Sequence, residues 1–463
     1  MRKKFVQMSL LDTYQSIEAR LANDKPELFK LLDEHLDWDE LIPHTFYTAF
    51  YQRFGRKRRY ELESFLRALF LQRIFHYVED SQLLNTLRFS YEMRDYCGFD
   101  QVPDASKLTR FKQNFCKHIC DVFERLVDLT EPICREMDAA LADLLIFDTT
   151  GIESYVAENN PKFPNTKVGK TAEYTGAAAS NPAVKHQYIN GHMCYAQRAA
   201  VLTNGLGIVR HLELFDENFR ERHPEVPRET RKKSPEVEKE IYDSVALKPV
   251  LQDFRAAHPA FRYGTFAGDA AFDSYDNYTF LLKDYRFRKA VIPMNPRNSA
   301  KAHDSTFNEN GTPLCPMDNT PLLLQGKSGG KNRSLRLKFL CPKTETLRLE
   351  SGGTSKRCLC ERPCSDSKYG KCVYVYPDKN LRLYPGLSRD SDEFAKIYNR
   401  RAAVERSINA LKDTLGLAGR KTSNVLTTKA DLFLAGIVQL LCVLLAHKLH
   451  DLKLARRPRR LIA

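Results

Sequence analysis

The chain has 463 residues, with 72 Lys and Arg against 58 Asp and Glu and a formal net charge of +14. At about 150 residues per domain this length predicts about three domains, and it suffices to bury a core without a disulfide or metal staple. The 43% hydrophobic and 28% charged residues exclude a wholly disordered, collagenous or coiled-coil chain, while the basic excess points to a polyanionic partner, nucleic acid before anionic membrane.

Asp12, Glu18 and Arg20 interrupt any apolar run near the start, so no secretion signal is expected. Residues 1–135 read as a helical region, with Leu62, Phe65, Leu66, Leu69 and Phe70 at helical spacing on one stripe. Before that stripe lies a basic run, Arg53, Arg56, Lys57, Arg58 and Arg59, interleaved with Tyr51, Phe54 and Tyr60. It suits phosphate contact or a solvated charged face equally. Pro103-Asp104-Ala105-Ser106 predicts a helix start, followed by an inner stripe of Leu108, Phe111 and Phe115 and an outer one of Lys107, Arg110, Lys112 and Lys117. Such a helix can lie in a groove or along phosphates, or be an ordinary surface helix.

Residues 136–299 alternate strand and helix. Ala142 to Asp148 is an apolar run ending in an acid, and His192 to Leu202 and Leu206 to Phe215 flank the turn signal Asn204-Gly205. A charged helix is predicted over Glu236 to Phe254, then strands through Tyr263 to Ala267 and at Ala290 to Pro293. Residues 300–375 break the pattern and read as a Cys-rich, basic insertion; 376–450 resume it with a helix over Ser391 to Leu415, and 451–463 form a basic tail. The apolar stretch Leu432 to Ala446, which contains Gln439, is shorter than the roughly 18–20 residues that span a bilayer and reads as a buried helix.

Asp148 and Asp269 each fall at the carboxyl end of a predicted strand, where open α/β sheets place ligand groups. Two such acids and one more suffice for Mg²⁺, whose shell is completed by waters and substrate phosphates. At about 100° per residue, Tyr398, Arg401, Glu405 and Lys412 share one polar stripe of the predicted helix, beside an apolar face of Ile397, Val404, Ile408, Leu411 and Leu415. Glu405 is thus the third acid; alternatively Arg401 and Glu405 form only a surface ion pair.

The spacing Tyr398-x2-Arg401-x3-Glu405-x6-Lys412 resembles the YREK signature of bacterial insertion-sequence DDE transposases. Phe147-Asp148-Thr149-Thr150 and Gly268-Asp269-Ala270-Ala271-Phe272-Asp273-Ser274 look like that family's first and second acidic motifs, and the N-terminal helical run resembles the segment preceding their catalytic core. The resemblance implies a ribonuclease H-like core in which Asp148, Asp269 and Glu405 ligate two Mg²⁺ ions, with Mn²⁺ as a substitute. It further implies that Tyr398, Arg401 and Lys412 grip phosphates, with Thr149 and Asn409 in support, and that the substrate is DNA: the element's terminal repeats and the target. A homo-oligomer on DNA and a cytoplasmic setting, without membrane, follow from that task. Asp143, Asp273 and Asp276 read as cap or surface acids. The single tryptophan, Trp38, lies far upstream, so a hairpin route to second-strand cleavage stays open. The rivals are a host-adopted DNA-binding protein without catalysis, against which the intact acids count, and a Mg²⁺-dependent structure-specific nuclease that cuts without joining. A zinc hydrolase lacks an open His-rich site.

Six cysteines, Cys315, Cys341, Cys358, Cys360, Cys364 and Cys372, crowd the insertion, which suggests structural zinc, with simple reduced cysteines as the alternative. The expected ligands are Cys341, Cys358, Cys364 and Cys372, with Cys315 or Cys360 as substitutes. The tail, with Lys448, Lys453, Arg456, Arg457, Arg459 and Arg460, reads as a flexible phosphate-binding arm.

Overall fold

A computed structural model describes residues 9–11, 14–15, 26–52, 57–171, 176–189, 191–232, 234–295, 307–330, 333–350, 352–367 and 370–462. At its centre the strand Leu144–Glu153 runs antiparallel to the long strand His192–Asn204 on one side and parallel to Thr265–Ala267 on the other. Thr265–Ala267 is in turn parallel to Lys289–Val291, and His192–Asn204 pairs antiparallel with Val209–Leu214 and, nearer its start, with Asn181–Ile189. Ala177–Ala178, antiparallel to Asn181–Ile189, completes a seven-stranded mixed sheet.

Alternation along the central strand serves two cores. Leu144 and Ile146 face one, with Val201 and Leu212, under the helices Cys116–Met137 and Val425–Lys448. Leu145 and Phe147 face the other, with Phe266 and Ala290, under the helix Asp243–Ala257. A strand covered on both faces needs an unbroken apolar run, which explains why Leu144 to Phe147 carries no polar residue.

The helices Glu27–His35, His44–Phe50, Leu62–Ile74, Asp80–Phe89 and Ala105–Asn114 share the first of these cores. Leu62–Ile74 is buried almost all round, beyond the one-sided stripe expected, with even Gln72 and Arg73 inside. Arg73, Lys112, Asp80, Arg420 and Asp431 form a buried ion network joining these helices to Val425–Lys448. Lys112 therefore leaves the outer basic face on which the sequence placed it. Val425–Lys448 is 24 residues, long and apolar enough by itself to cross a membrane, yet it packs inside the protein. The polar Gln439 in its middle is satisfied: it accepts from the Val209 amide at 2.9 Å and donates to Gly207 O and Ser407 Oγ.

The hairpin at Asn204-Gly205 forms as expected, and Gly207, at φ 80°, lets the turn approach the Ala403 carbonyl, which a Cβ there would meet at 3.1 Å. Three expectations are corrected. Residues Ser234–Glu238 pair with Thr230–Arg231 as a strand, so the helix predicted from Glu236 begins only at Asp243. The helix predicted over Ser391 to Leu415 is interrupted: α over Asp392–Tyr398, 3₁₀ over Asn399–Arg401, α over Ala402–Asn409 and π over Ala410–Thr414. The tail folds back instead of hanging free, with Leu454 and Ala455 buried and Arg460 paired with Asp451.

The insertion forms its own three-stranded sheet, Leu323–Gly330, Arg333–Leu340 and Cys372–Val375, and a hairpin, Thr344–Arg348 with Thr354–Cys358.

Candidate functional site

Parallel pairing of the central strand with Thr265–Ala267 ends at Ile146 opposite Ala267. Asp148 and Asp269 each lie two residues beyond that last pair, so register alone brings both carboxylates to the same edge of the parallel half of the sheet. Asp148 is not at the end of its strand, which continues to Glu153 along the antiparallel partner. Asp269 caps a 3₁₀ turn, accepting the Ala271 amide at 2.8 Å, and Asp148 accepts the Thr149 amide at 2.8 Å.

The helix Ala402–Asn409 lays Val404 and Ile408 into the core and leaves Glu405 exposed. Just before it, Arg401 spans two acids: Nη2 lies 2.5 Å from Glu405 Oε1 and Nη1 lies 3.7 Å from Asp148 Oδ2. Its guanidinium sits 5.9 Å from the Tyr398 ring centroid, and that ring stacks on Phe394.

A fourth acid, which sequence reasoning missed, completes the cluster. Asp243, at the start of Asp243–Ala257, accepts from the Thr149 hydroxyl and from Arg198 Nη2, the latter at 2.5 Å. It lay hidden inside what the sequence presents as one long charged helix; the only available signal was an acid at a helix start after an α/β connection. Burial pushes the Asp148 carboxyl up to about 6, reinforced by Asp243 and Asp269 and opposed by the Thr149 amide and Arg401. Asp269 is raised as well, by burial and then by Asp243 and Glu405, with the Ala271 amide and Arg401 opposing. Crowded carboxylates with partial countercharge from Arg198 and Arg401 are a donor set that a hard divalent cation fits.

Of the remaining candidates, Asn409 is exposed, and Thr149 binds Asp243 and Arg198. Lys412 does not extend the polar stripe. The π turn carries it into the interior, where burial lowers its pKa, with Asp413, Cys194 and Glu153 opposing. Nearer the surface, the exposed Glu153 and His192 and the buried Cys194 bring ligand atoms within 4.8 Å of one another. Asp273 is fully buried and bound to Arg382 and Tyr278, and Asp143 pairs with Arg288, so both are structural acids.

The two basic segments, far apart in sequence, meet. Lys57, Arg58, Arg59, Lys107 and Arg110 line one open groove of about 860 Å³, with Tyr51, Tyr60, Phe50, Phe65, Phe111 and Phe115 on its walls. Arg58 lies 4.5 Å above the Phe50 ring and donates to the Phe50 carbonyl, and Arg59 lies 5.7 Å from the Tyr60 centroid. Arg53 and Arg56 lie outside the described residues.

Among the cysteines, Cys315 and Cys364 approach to 4.0 Å, and Cys341 is buried in the same small core. Cys358 contacts Cys360, whereas Cys372 pairs across from Leu340 on the opposite face of its sheet.

No curated protein matches the chain. Residues 15–114, the segment that carries most of the N-terminal helices and the basic groove, match the family described as Transposase domain (DUF772), and this similarity supports a transposase family.

Proposed function

We propose that the protein is a DDE-type DNA transposase that cleaves DNA at the ends of an insertion sequence and joins those ends to target DNA. One observation carries this reading: Arg401 bridges Glu405 and Asp148, tying the helix acid to a strand acid that shares an edge with Asp269. The strand order supports a ribonuclease H-like core, since three antiparallel strands, Leu144–Glu153, His192–Asn204 and Val209–Leu214, are followed by two parallel ones, Thr265–Ala267 and Lys289–Val291.

Asp148, Asp269 and Glu405 would hold two Mg²⁺ ions, or Mn²⁺ in their place. Bound divalent metal supplies Lewis-acid activation of the attacking and leaving oxygens in an in-line displacement at phosphorus. The chain's own groups do the rest. Arg401 sets the angle between Asp148 and Glu405 and offers its remaining N–H groups to a phosphate. Tyr398, stacked on Phe394, stands beside it. The groove around Lys57, Arg58, Arg59, Lys107 and Arg110 grips DNA backbone through charge, with the exposed Tyr51 on its wall able to stack a base. Because two element ends must be joined in concert, the working form is a homo-oligomer on DNA.

The test incubates purified protein with Mg²⁺ and its flanking terminal DNA, comparing wild type with Asp148→Ala and Glu405→Gln and scoring cleaved ends and joined products separately. Joining in wild type that disappears in both variants, with DNA binding retained, is expected. Mg²⁺-dependent cleavage persisting in Glu405→Gln overturns its assignment. Cleavage without joining under conditions that pair ends favours a nuclease, and binding with neither reaction favours an adopted DNA-binding role.

A further inference from the structure

The strand His192–Asn204 reaches further than its neighbour. The central strand stops at Glu153, opposite Ala196, while the long strand continues back through Cys194 to His192, paired there with Asn181–Ile189. Side chains alternate along a strand, so His192, Cys194 and Ala196 share one face, and Glu153, opposite Ala196, lies on that same face. Register thus brings a carboxylate, an imidazole and a thiol together where the central strand ends.

Cys194 is buried in a small apolar core with Ile189 and Ala196, which fixes its sulfur, whereas the Glu153 and His192 side chains are half exposed and able to close over it. His192 turns Nε2 toward Glu153 Oε2 at 3.6 Å. That is too long for a hydrogen bond and near the ~3.4 Å at which a nitrogen and an oxygen stand when both bind one tetrahedral zinc. One ligand atom from each of the three residues lies within 4.8 Å of the others. Among the described residues the insertion's cysteines, expected from the sequence to hold zinc, do not gather three sulfurs this closely.

We propose that Glu153, His192 and Cys194 bind one zinc ion, with water in the fourth position on the solvent side. The donor set selects the metal: thiolate and imidazole favour a borderline transition ion over Mg²⁺, which takes oxygen ligands. Charge balances as well. Glu153 enters as a carboxylate, Cys194 gives up its thiol proton to solvent and His192 binds neutral, so two negative charges cancel the two positive charges of the ion. Without the ion, the nearby positive charge is the buried Lys412 amine, which interacts with both Glu153 and Cys194. The site is separate from Asp148, Asp269 and Glu405: Glu153 lies five residues beyond Asp148, about 17 Å along an unbroken strand, and on the opposite face of the sheet. A bound ion would tie the turn end of the hairpin formed by Asn181–Ile189 and His192–Asn204 to the end of the central strand.

The experiment counts metal in the full-length protein after incubation with Zn²⁺ under reducing conditions, with excess Mg²⁺ to fill oxygen-only sites, followed by desalting. Wild type is compared with His192→Ala, and Cys364→Ser with the double variant Cys364→Ser, His192→Ala, so that zinc held by the insertion cancels within each pair. About one zinc per chain fewer is expected whenever His192 is replaced. Because His192 is exposed, its variants should keep the fold, which circular dichroism checks. Equal zinc within both pairs overturns the proposal. Cobalt introduced in the same way supplies a second readout: Cys194→Ser should remove thiolate-to-cobalt charge-transfer intensity corresponding to one sulfur, and an unchanged spectrum overturns the assignment of Cys194. None of these readouts involves DNA, so they hold or fail independently of the transposase reading.

Discussion

Replacing Asp431 by Asn should destabilise the protein severely, because Asp431 is the hub of a buried ion network. Its carboxylate lies 2.5 Å from Arg73 Nη2, 2.9 Å from Arg420 Nε and 3.4 Å from Lys112 Nζ, and its side chain is 1% exposed. Asp80 is the second acid, 3.2 Å from Lys112 and 2.7 Å from Arg420. Three cations against two anions become three against one, and the charge removed is the carboxylate bonded to Arg73. Removing one partner of a buried pair costs about 3–5 kcal/mol, because the remaining charge keeps its desolvation penalty without its attraction. The expected loss is therefore about 3–5 kcal/mol, or at least about a hundredfold in the folding equilibrium. Denaturant titration monitored by circular dichroism measures it, with Asp318→Asn, which removes a surface partner of Lys343, as the control. Adding Lys112→Met should restore part of the loss, since it removes one of the uncompensated cations. A loss in Asp431→Asn no larger than in the control, or a double variant worse than the sum of the singles, would refute the reasoning.

Four further outcomes are expected. Lys57→Ala with Lys107→Ala should weaken DNA binding uniformly across sequences and flatten the dependence of log affinity on log salt by about 0.9 for each phosphate that is no longer neutralised; an unchanged slope in fluorescence anisotropy argues against the groove. Arg198→Ala, which unpins Asp243 and Thr149, should slow joining by about 10- to 100-fold while leaving DNA affinity intact, and an unchanged joining rate would remove Asp243 from the site. Gly436→Val should destabilise by about 1–3 kcal/mol through overpacking, because a Cβ at that position would stand 2.7 Å from Leu212 and 2.8 Å from Phe123; equal midpoints in denaturant titration would contradict it. His258 is buried between Glu124 and Asp128, each at 2.7 Å, and these acids raise its pKa against the opposing effect of burial. Its contribution to stability should be complete below the unfolded value of about 6.5 and disappear as pH rises through the folded value, so thermal unfolding of His258→Gln should differ from wild type at low pH and converge with it at high pH.

Local chemistry was readable from the sequence. The apolar run before Asp148, the turn at Asn204-Gly205 and the Arg401–Glu405 pair each depend on residues within a few positions of one another, and each forms. Periodicity also placed Leu108 and Phe111 inside and Lys107 and Arg110 outside. What periodicity could not supply was the partner of each face. Lys112 shares a helix with Lys107, yet Asp80 and Asp431, from two distant segments, take it inside; Lys412 follows Glu405 by seven residues, yet a π turn rotates it into the core. Asp243 reaches Thr149 across the sheet, Cys315 finds Cys364, and the basic run before Leu62 meets the helix Ala105–Asn114 around one groove. A residue's spacing determines which side of its own element it occupies. Whether that side meets solvent, a counter-charge or a second acid depends on desolvation and close packing between segments remote in the chain, and those terms exist only once the tertiary fold has brought the segments together.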